Sequence, residues 1–320
     1  PSRIINESEV NFNGNITPSK GLDPKTMSSI LIKSGFNSTV YFSDVYKSDK
    51  LPFYKTLNSY IESGVPIILG INNQTSKHVV LGIGRKYIKK KEIIKAARVL
   101  SISKAKIRDF DSAKRELIVI DDNWPPYSET PISEPSKFYI EELNDYSREG
   151  AQIDYFIAPL PDKIYLEAIE AKGCFYNFIE EIDDEIFKLN KKRINYTRFF
   201  LTTSRSFKES IVKIKFNKDL KDLIVDYELP RFVWIVEISN KDLFDSKRAD
   251  GLVIIDATEK DVKNYRPIIL AAANGKVIYQ DPEDSDKKED SDSVIDFREN
   301  KLYLQDFWMF NDNLKLCKSN

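Results

Sequence analysis

Gly64-Val65-Pro66-Ile67-Ile68-Leu69-Gly70-Ile71, a polar break, and then Lys77-His78-Val79-Val80-Leu81-Gly82-Ile83-Gly84 form the stretch whose reading decides the fold. The apolar run Val65–Ile71 does not alternate, which predicts a strand buried on both faces. Asn72–Lys77 reads as a polar turn and the second run as the returning strand of a hairpin. Upstream, Asp23-Pro24 predicts a helix start, with Asp as N-cap and Pro in the first turn. Met27, Ile30 and Leu31 follow at helical spacing, and Gly35 ends the helix. Thr39–Phe42 predicts a short strand. Leu51–Ser63 predicts a second helix, with Phe53, Tyr54, Leu57, Tyr60 and Ile61 on one face and Gly64 closing it.

Downstream of the hairpin, 86–108 is basic (Lys89, Lys90, Lys91, Arg98 and Arg108 among others), and Ile93, Ile94 and Ala97 hint at an amphipathic helix. Leu117–Ile120 predicts a strand ending at Asp121-Asp122-Asn123, and Ile153–Ala158 predicts another. Pro159-Leu160-Pro161 reads as a linker. Beyond it come a long helix over Lys163–Leu189, a strand over Tyr196–Leu201, a helix over Phe207–Ile214 and a strand over Phe232–Ile238 that places Trp234 in a core. Leu252–Ile255 and Pro267–Ala272 predict further strands. Asn274-Gly275 predicts a tight hairpin, because a type I′ turn needs positive φ at both positions. Asp281–Asp292 reads as an acidic surface loop. Helices and strands alternate irregularly throughout, so the expected class is α+β, with domains at 1–160 and 161–320.

Composition narrows the function. The chain has 320 residues, with 49 Lys and Arg against 50 Asp and Glu, for a net charge of −1. That balance argues against nucleic acid as a partner, whose binders carry a basic excess. No apolar run is long enough to span a bilayer. Nineteen Phe and sixteen Tyr supply core material. Cys174 and Cys317 cannot make a disulfide framework, so a reducing, cytoplasmic setting is the expectation. The chain opens Pro1-Ser2-Arg3 without a basic-then-apolar leader, which reads as an N-terminal portion removed or lying outside this chain. One His and two distant Cys cannot build a zinc site of the usual spacing. Asp281–Asp292 lacks the glycine and terminal glutamate of an EF-hand loop. Gly82-x-Gly84 is too short for a dinucleotide fingerprint. The expectation is therefore no cofactor and no metal.

His78 is the sole histidine, so any imidazole chemistry must use it. At the first position of an apolar strand its backbone is held by the sheet while its ring can face a cleft, as a general base requires. If the strand ending in Asp121-Asp122 is its neighbour, either carboxylate could accept the ring N–H and fix its tautomer. The plainer reading is a packing or surface histidine beside an ordinary Asp-Asp-Asn turn.

The succession Gly21-Leu22-Asp23-Pro24, Leu31, Gly35-Phe36, Gly64-Val65-Pro66, Lys77-His78-Val79-Val80 and Val119-Ile120-Asp121-Asp122 resembles the papain-like cysteine peptidases. It is most similar to the branch of bacteriocin-processing, double-glycine-cleaving peptidases and related acyltransferases. The similarity covers about residues 20–125. It implies a papain-like first domain followed by a second, mixed α+β domain, acting in peptide or amide hydrolysis or acyl transfer. It also implies His78 as general base, Asp121 or Asp122 as its orienting partner, and a peptide, small amide or thioester as substrate. The family's nucleophile lies at a helix start upstream of its His, yet 1–77 holds no Cys. Three readings follow: the nucleophile helix precedes Pro1; the fold has lost its nucleophile and binds a protein partner without cleaving; or the order is permuted and Cys174 serves. The last improves if Gly173 breaks the helix, because a helix N-terminus lowers a thiol's pKa.

Overall fold

The computed structural model describes residues 22–46, 51–72, 77–85, 99–102, 105–112, 116–122, 127–134, 137–138, 152–182, 187, 189, 192–213, 218–240, 248–249, 251–260, 268–273, 276–280, 292–296 and 303–304. The polar opening, the basic run 86–98, the acidic run 281–291, the turn residues 274–275 and Cys317 lie outside these residues. The chain is mixed α+β. The described helices are α1 (Pro24–Lys33), α2 (Leu51–Glu62), α3 (Ala168–Glu181), α4 (Ser204–Lys213) and α5 (Lys218–Asp226). The strands in chain order are β1 (Phe36–Phe42), β2 (Ile67–Asn72), β3 (Lys77–Arg85), β4 (Val99–Ile102), β5 (Ala105–Asp109), β6 (Glu116–Ile120), β7 (Ser128–Glu134), β8 (Lys137–Phe138), β9 (Gln152–Pro161), β10 (Ile194–Thr203), β11 (Phe232–Ser239), β12 (Arg248–Ala249), β13 (Gly251–Asp256), β14 (Ile268–Ala273), β15 (Lys276–Gln280), β16 (Asp292–Asp296) and β17 (Tyr303–Leu304). They fall into two compact units, one of Pro1–Ile88 with Lys114–Ile164, the other of Lys89–Ala113 with Tyr165–Asn320.

The first unit is built on an antiparallel sheet in the order β1-β9-β2-β3-β6-β7-β8, with β8 also pairing β9. Asp23 caps α1 as its sequence predicts, accepting from the N–H groups of Lys25 and Thr26, both at 3.0 Å. Gly35 and Gly64, at φ +90° and +73°, take the left-handed conformation that ends a helix at low cost only for glycine. The faces predicted for α2 are buried, but so are Thr56, Asn58 and Ser59 on its other sides. Hydroxyls there turn back onto their own helix: Thr56 donates to the Pro52 carbonyl and Ser59 to that of Lys55. That local satisfaction lets a half-polar helix sit in a core. Glu62, at the end of α2, pairs with Arg85 of β3 at 2.7 Å. Tyr41 of β1 stacks on Phe156 of β9, centroids 4.5 Å apart, and shares a 2.9 Å hydroxyl contact with Tyr60 of α2.

Pro159-Leu160-Pro161 is not a linker. It is the end of β9, in register with Phe36–Ser38 of β1. Proline is tolerated here because β2 pairs with β9 only as far as Ile157, so the missing N–H groups face no ladder on that side. Gly70 of β2 has a steric reason: a Cβ there would lie 2.0 Å from the Tyr155 ring of β9.

The second unit carries an eight-stranded sheet in the order β16-β15-β14-β13-β11-β10-β5-β4. β11 is buried at every position, and the Trp234 indole N–H donates to the Leu166 carbonyl at 2.9 Å. β14 and β15 meet with Ala273 opposite Lys276, the register of a two-residue hairpin across Asn274-Gly275. The helix hinted at by Ile93, Ile94 and Ala97 falls outside the described residues; past it the chain forms β4 and β5, with burial that alternates along Ala105–Asp109. The long helix predicted over Lys163–Leu189 is shorter at both ends, starting at Ala168, where the Glu170 carboxylate accepts from the Glu167 N–H. α4 begins at Ser204, ahead of the predicted Phe207, and α5 was not foreseen. Both bury one stripe, Phe207 and Ile211 on α4 with Leu220 and Ile224 on α5, against the sheet core.

A buried ionic cluster joins β5 to α3 inside this unit. Lys172 Nζ lies 2.7 Å from an oxygen of Asp111 and 3.2 Å from one of Asp109, with both carboxylates fully buried. Tyr176 donates to Asp109 at 3.2 Å, and the Lys172 ammonium stands 3.9 Å above the Phe199 ring. Desolvation, reinforced by the two aspartates, raises the Tyr176 phenol well above its ordinary value.

Candidate functional site

His78 is the second residue of β3, opposite Ile71 of β2. Side chains alternate along a strand, so His78, Val80 and Gly82 share one face of β3. A Cβ on Gly82 would meet Leu69 at 3.2 Å and Ile61 of α2 at 3.6 Å, which marks this as the face covered by α2. On the other side of β3, Leu81 stands opposite Ile120 of β6. Extending that antiparallel register by one residue sets Asp121 across from Val80, on the same face as His78 and diagonal to it. The sheet thus brings the imidazole and the carboxylate together, although 43 residues separate them in sequence.

The contact is close. His78 Nε2 lies 2.8 Å from Asp121 Oδ1. The Asp121 side chain is 1% exposed and that of His78 31% exposed, so the acid is sealed and the ring is open to one side. Asp122, 87% exposed, holds Oδ1 3.9 Å from the same nitrogen, beyond hydrogen-bond length. Of the two acids left open by the sequence, Asp121 is the hydrogen-bonded partner and Asp122 an outlying charge. A carboxylate accepting from Nε2–H favours the tautomer protonated at that nitrogen. His78, Asp121 and Asp122 also form the cluster of metal-ligating side chains found among the described residues, with donor atoms all within 4.8 Å of one another.

Cys174 lies within α3, in the second unit, and Gly173 does not interrupt the helix. The thiol is therefore not at a helix N-terminus. Burial, reinforced by Glu170, pushes its pKa above the ordinary value, the opposite of what activates a nucleophile. Tyr127, unnoticed in the sequence, stands at the far end of the connection that Asp121 begins, with φ +70° and its side chain exposed. No sequence pattern marks a non-glycine residue held in that conformation.

Among the described residues no helix is long and apolar enough to cross a membrane. Comparison with protein-family models, curated proteins and solved structures found no significant match.

Proposed function

We propose that the first unit is a papain-like catalytic module for acyl transfer, in which His78 serves as general base and Asp121 orients it. The observation that carries this reading is the 2.8 Å contact between His78 Nε2 and the sealed Asp121 carboxylate. It gives the ring one tautomer and one orientation while leaving it partly open to solvent. In this mechanism Nδ1 takes the proton of a cysteine thiol. The thiolate attacks a peptide, amide or thioester carbonyl, and the imidazolium then protonates the leaving group. Hydrolysis of the acyl-thiol by water, with His78 again as base, regenerates the thiol. Asp122 is too far from Nε2 to orient it and contributes only charge.

The thiol comes from outside 1–77, since that segment holds no Cys, and Cys174 is buried with its pKa raised. The same two facts favour a second reading, a module that keeps the dyad and binds an acyl or peptide partner without cleaving it. Both are tested in the protein expressed from its native gene, assayed against fluorogenic peptide amides and aryl thioesters. His78→Ala should lower turnover by about 10²- to 10⁴-fold, the usual worth of a positioned general base. Asp121→Asn should lower kcat while leaving KM nearly unchanged. Turnover insensitive to His78→Ala would end the catalytic reading. Absence of turnover in the wild type, with peptide binding retained, would establish the second.

A further inference from the structure

We infer that His78, Asp121 and Asp122 form a binding site for Zn²⁺ or an ion of its class, and that occupancy switches off the base. The regulatory part rests on the reading above; the binding part does not. One imidazole nitrogen and two carboxylate oxygens are the donors that zinc accepts, and a fourth position stays open for water. The spacing is close to what the ion needs. Two ligands of a tetrahedral zinc at about 2.0–2.1 Å from the metal stand about 3.3 Å apart. Here Nε2 lies 2.8 Å from the Asp121 oxygen and 3.9 Å from that of Asp122. The first distance must open and the second close, each by about half an ångström, and the two carboxylate oxygens, within 4.8 Å of each other, must also settle near that spacing for all three to reach one ion. The second adjustment is cheap because Asp122 is exposed. Asp121 and the backbone of His78 are already fixed by burial and by the sheet.

The chemical consequence follows from which nitrogen is used. A metal at Nε2 needs the lone pair of that atom, so the ring proton moves to Nδ1 and the proton count is unchanged. Nδ1–H can no longer accept a proton from a thiol. Ion binding and base catalysis are therefore alternatives at one ring, exchanged by tautomer.

Because His78 is the sole histidine, the ¹⁵N-labelled chain shows a single pair of imidazole nitrogens, and a two-bond ¹H–¹⁵N spectrum reads the tautomer directly. Zn²⁺ should convert Nε2 from protonated to metal-bound and Nδ1 from unprotonated to protonated. Asp122→Asn should raise the zinc concentration at half-conversion at least about tenfold, with the circular dichroism of the fold unchanged. Mg²⁺ should leave the spectrum alone, because it prefers oxygen ligands. The inference is overturned if excess zinc leaves both nitrogens unshifted, if Nδ1 is the metal-bound atom, if Mg²⁺ acts as well as Zn²⁺, or if Asp122→Asn titrates like the wild type. Each readout is spectroscopic, so failure of the acyl-transfer proposal would leave this result standing, and the reverse.

Discussion

Replacing Lys172 by Met keeps most of the side-chain volume and removes the ammonium from the cluster between β5 and α3. Asp109 retains the Tyr176 hydroxyl at 3.2 Å and the N–H of Asp111 at 2.9 Å. Asp111 loses its 2.7 Å contact with Nζ while remaining fully buried. The 3.9 Å approach of the cation to the Phe199 ring also goes. Removing one partner of a buried ion pair costs about 3–5 kcal/mol, since the remaining charge is left in a poorly solvating interior. For a unit of this size that corresponds to a Tm lower by roughly 6–20 °C. Urea unfolding followed by tryptophan fluorescence is the natural assay, because Trp234 is fully buried in the same unit. The double variant Lys172→Met with Asp111→Asn should recover more than half of the loss, by removing the buried charge that Lys172 balanced. A Lys172→Met cost under about 1 kcal/mol would refute the reasoning, as would a double variant no better than the single one.

Two further outcomes are expected. Gly70→Ala should destabilise the first unit by about 1–3 kcal/mol, because the new methyl collides with the Tyr155 ring, and combining it with Tyr155→Leu should remove most of that penalty in a double-mutant cycle. Stability should also fall as pH rises above the ordinary phenol value of 10.0: the folded Tyr176 pKa is raised, so its contribution is complete below that pH and is lost as pH climbs toward the folded value. Tyr176→Phe should flatten the alkaline limb of an unfolding-midpoint profile, and a limb of unchanged steepness would show that Tyr176 does not cause it.

How much of this was legible in the sequence depended on how local the cause was. The Asp23 cap, the stops at Gly35 and Gly64 and the hairpin around Asn274-Gly275 each rest on a few neighbouring residues, and each was visible. His78 stood out because it was alone at the head of an apolar strand. The choice between Asp121 and Asp122 was not readable, since it turns on which of two adjacent side chains faces inward, and that is set by the register of β6 on β3. Lys172 was hidden for the same reason on a larger scale. Its partners Asp109 and Asp111 lie just past the basic stretch 86–108, at the end of β5 and directly after it, and β5 is held by β10, with Lys106 opposite Ile194. Pro159 and Pro161 misled because proline punctuates most chains, and only the absence of a neighbouring strand at their edge makes them harmless. α5 was missed because its short stripe, Leu220 and Ile224, sits in a segment dominated by Lys and Asp.

The parallel pairing of β5 with β10 also sets an order of events during synthesis. β4 and β5 leave the ribosome early, after β3 and before β6, yet the strand they need is made much later. Until it arrives, β5 presents an unpaired edge, and Asp109 and Asp111 stand in water awaiting Lys172. From β10 onward the second sheet can add its strands in chain order, β11, β13, β14, β15 and β16. Its first two strands are nevertheless encoded between segments of the first unit, which makes a contiguous cut between the two units a poor place to divide this protein.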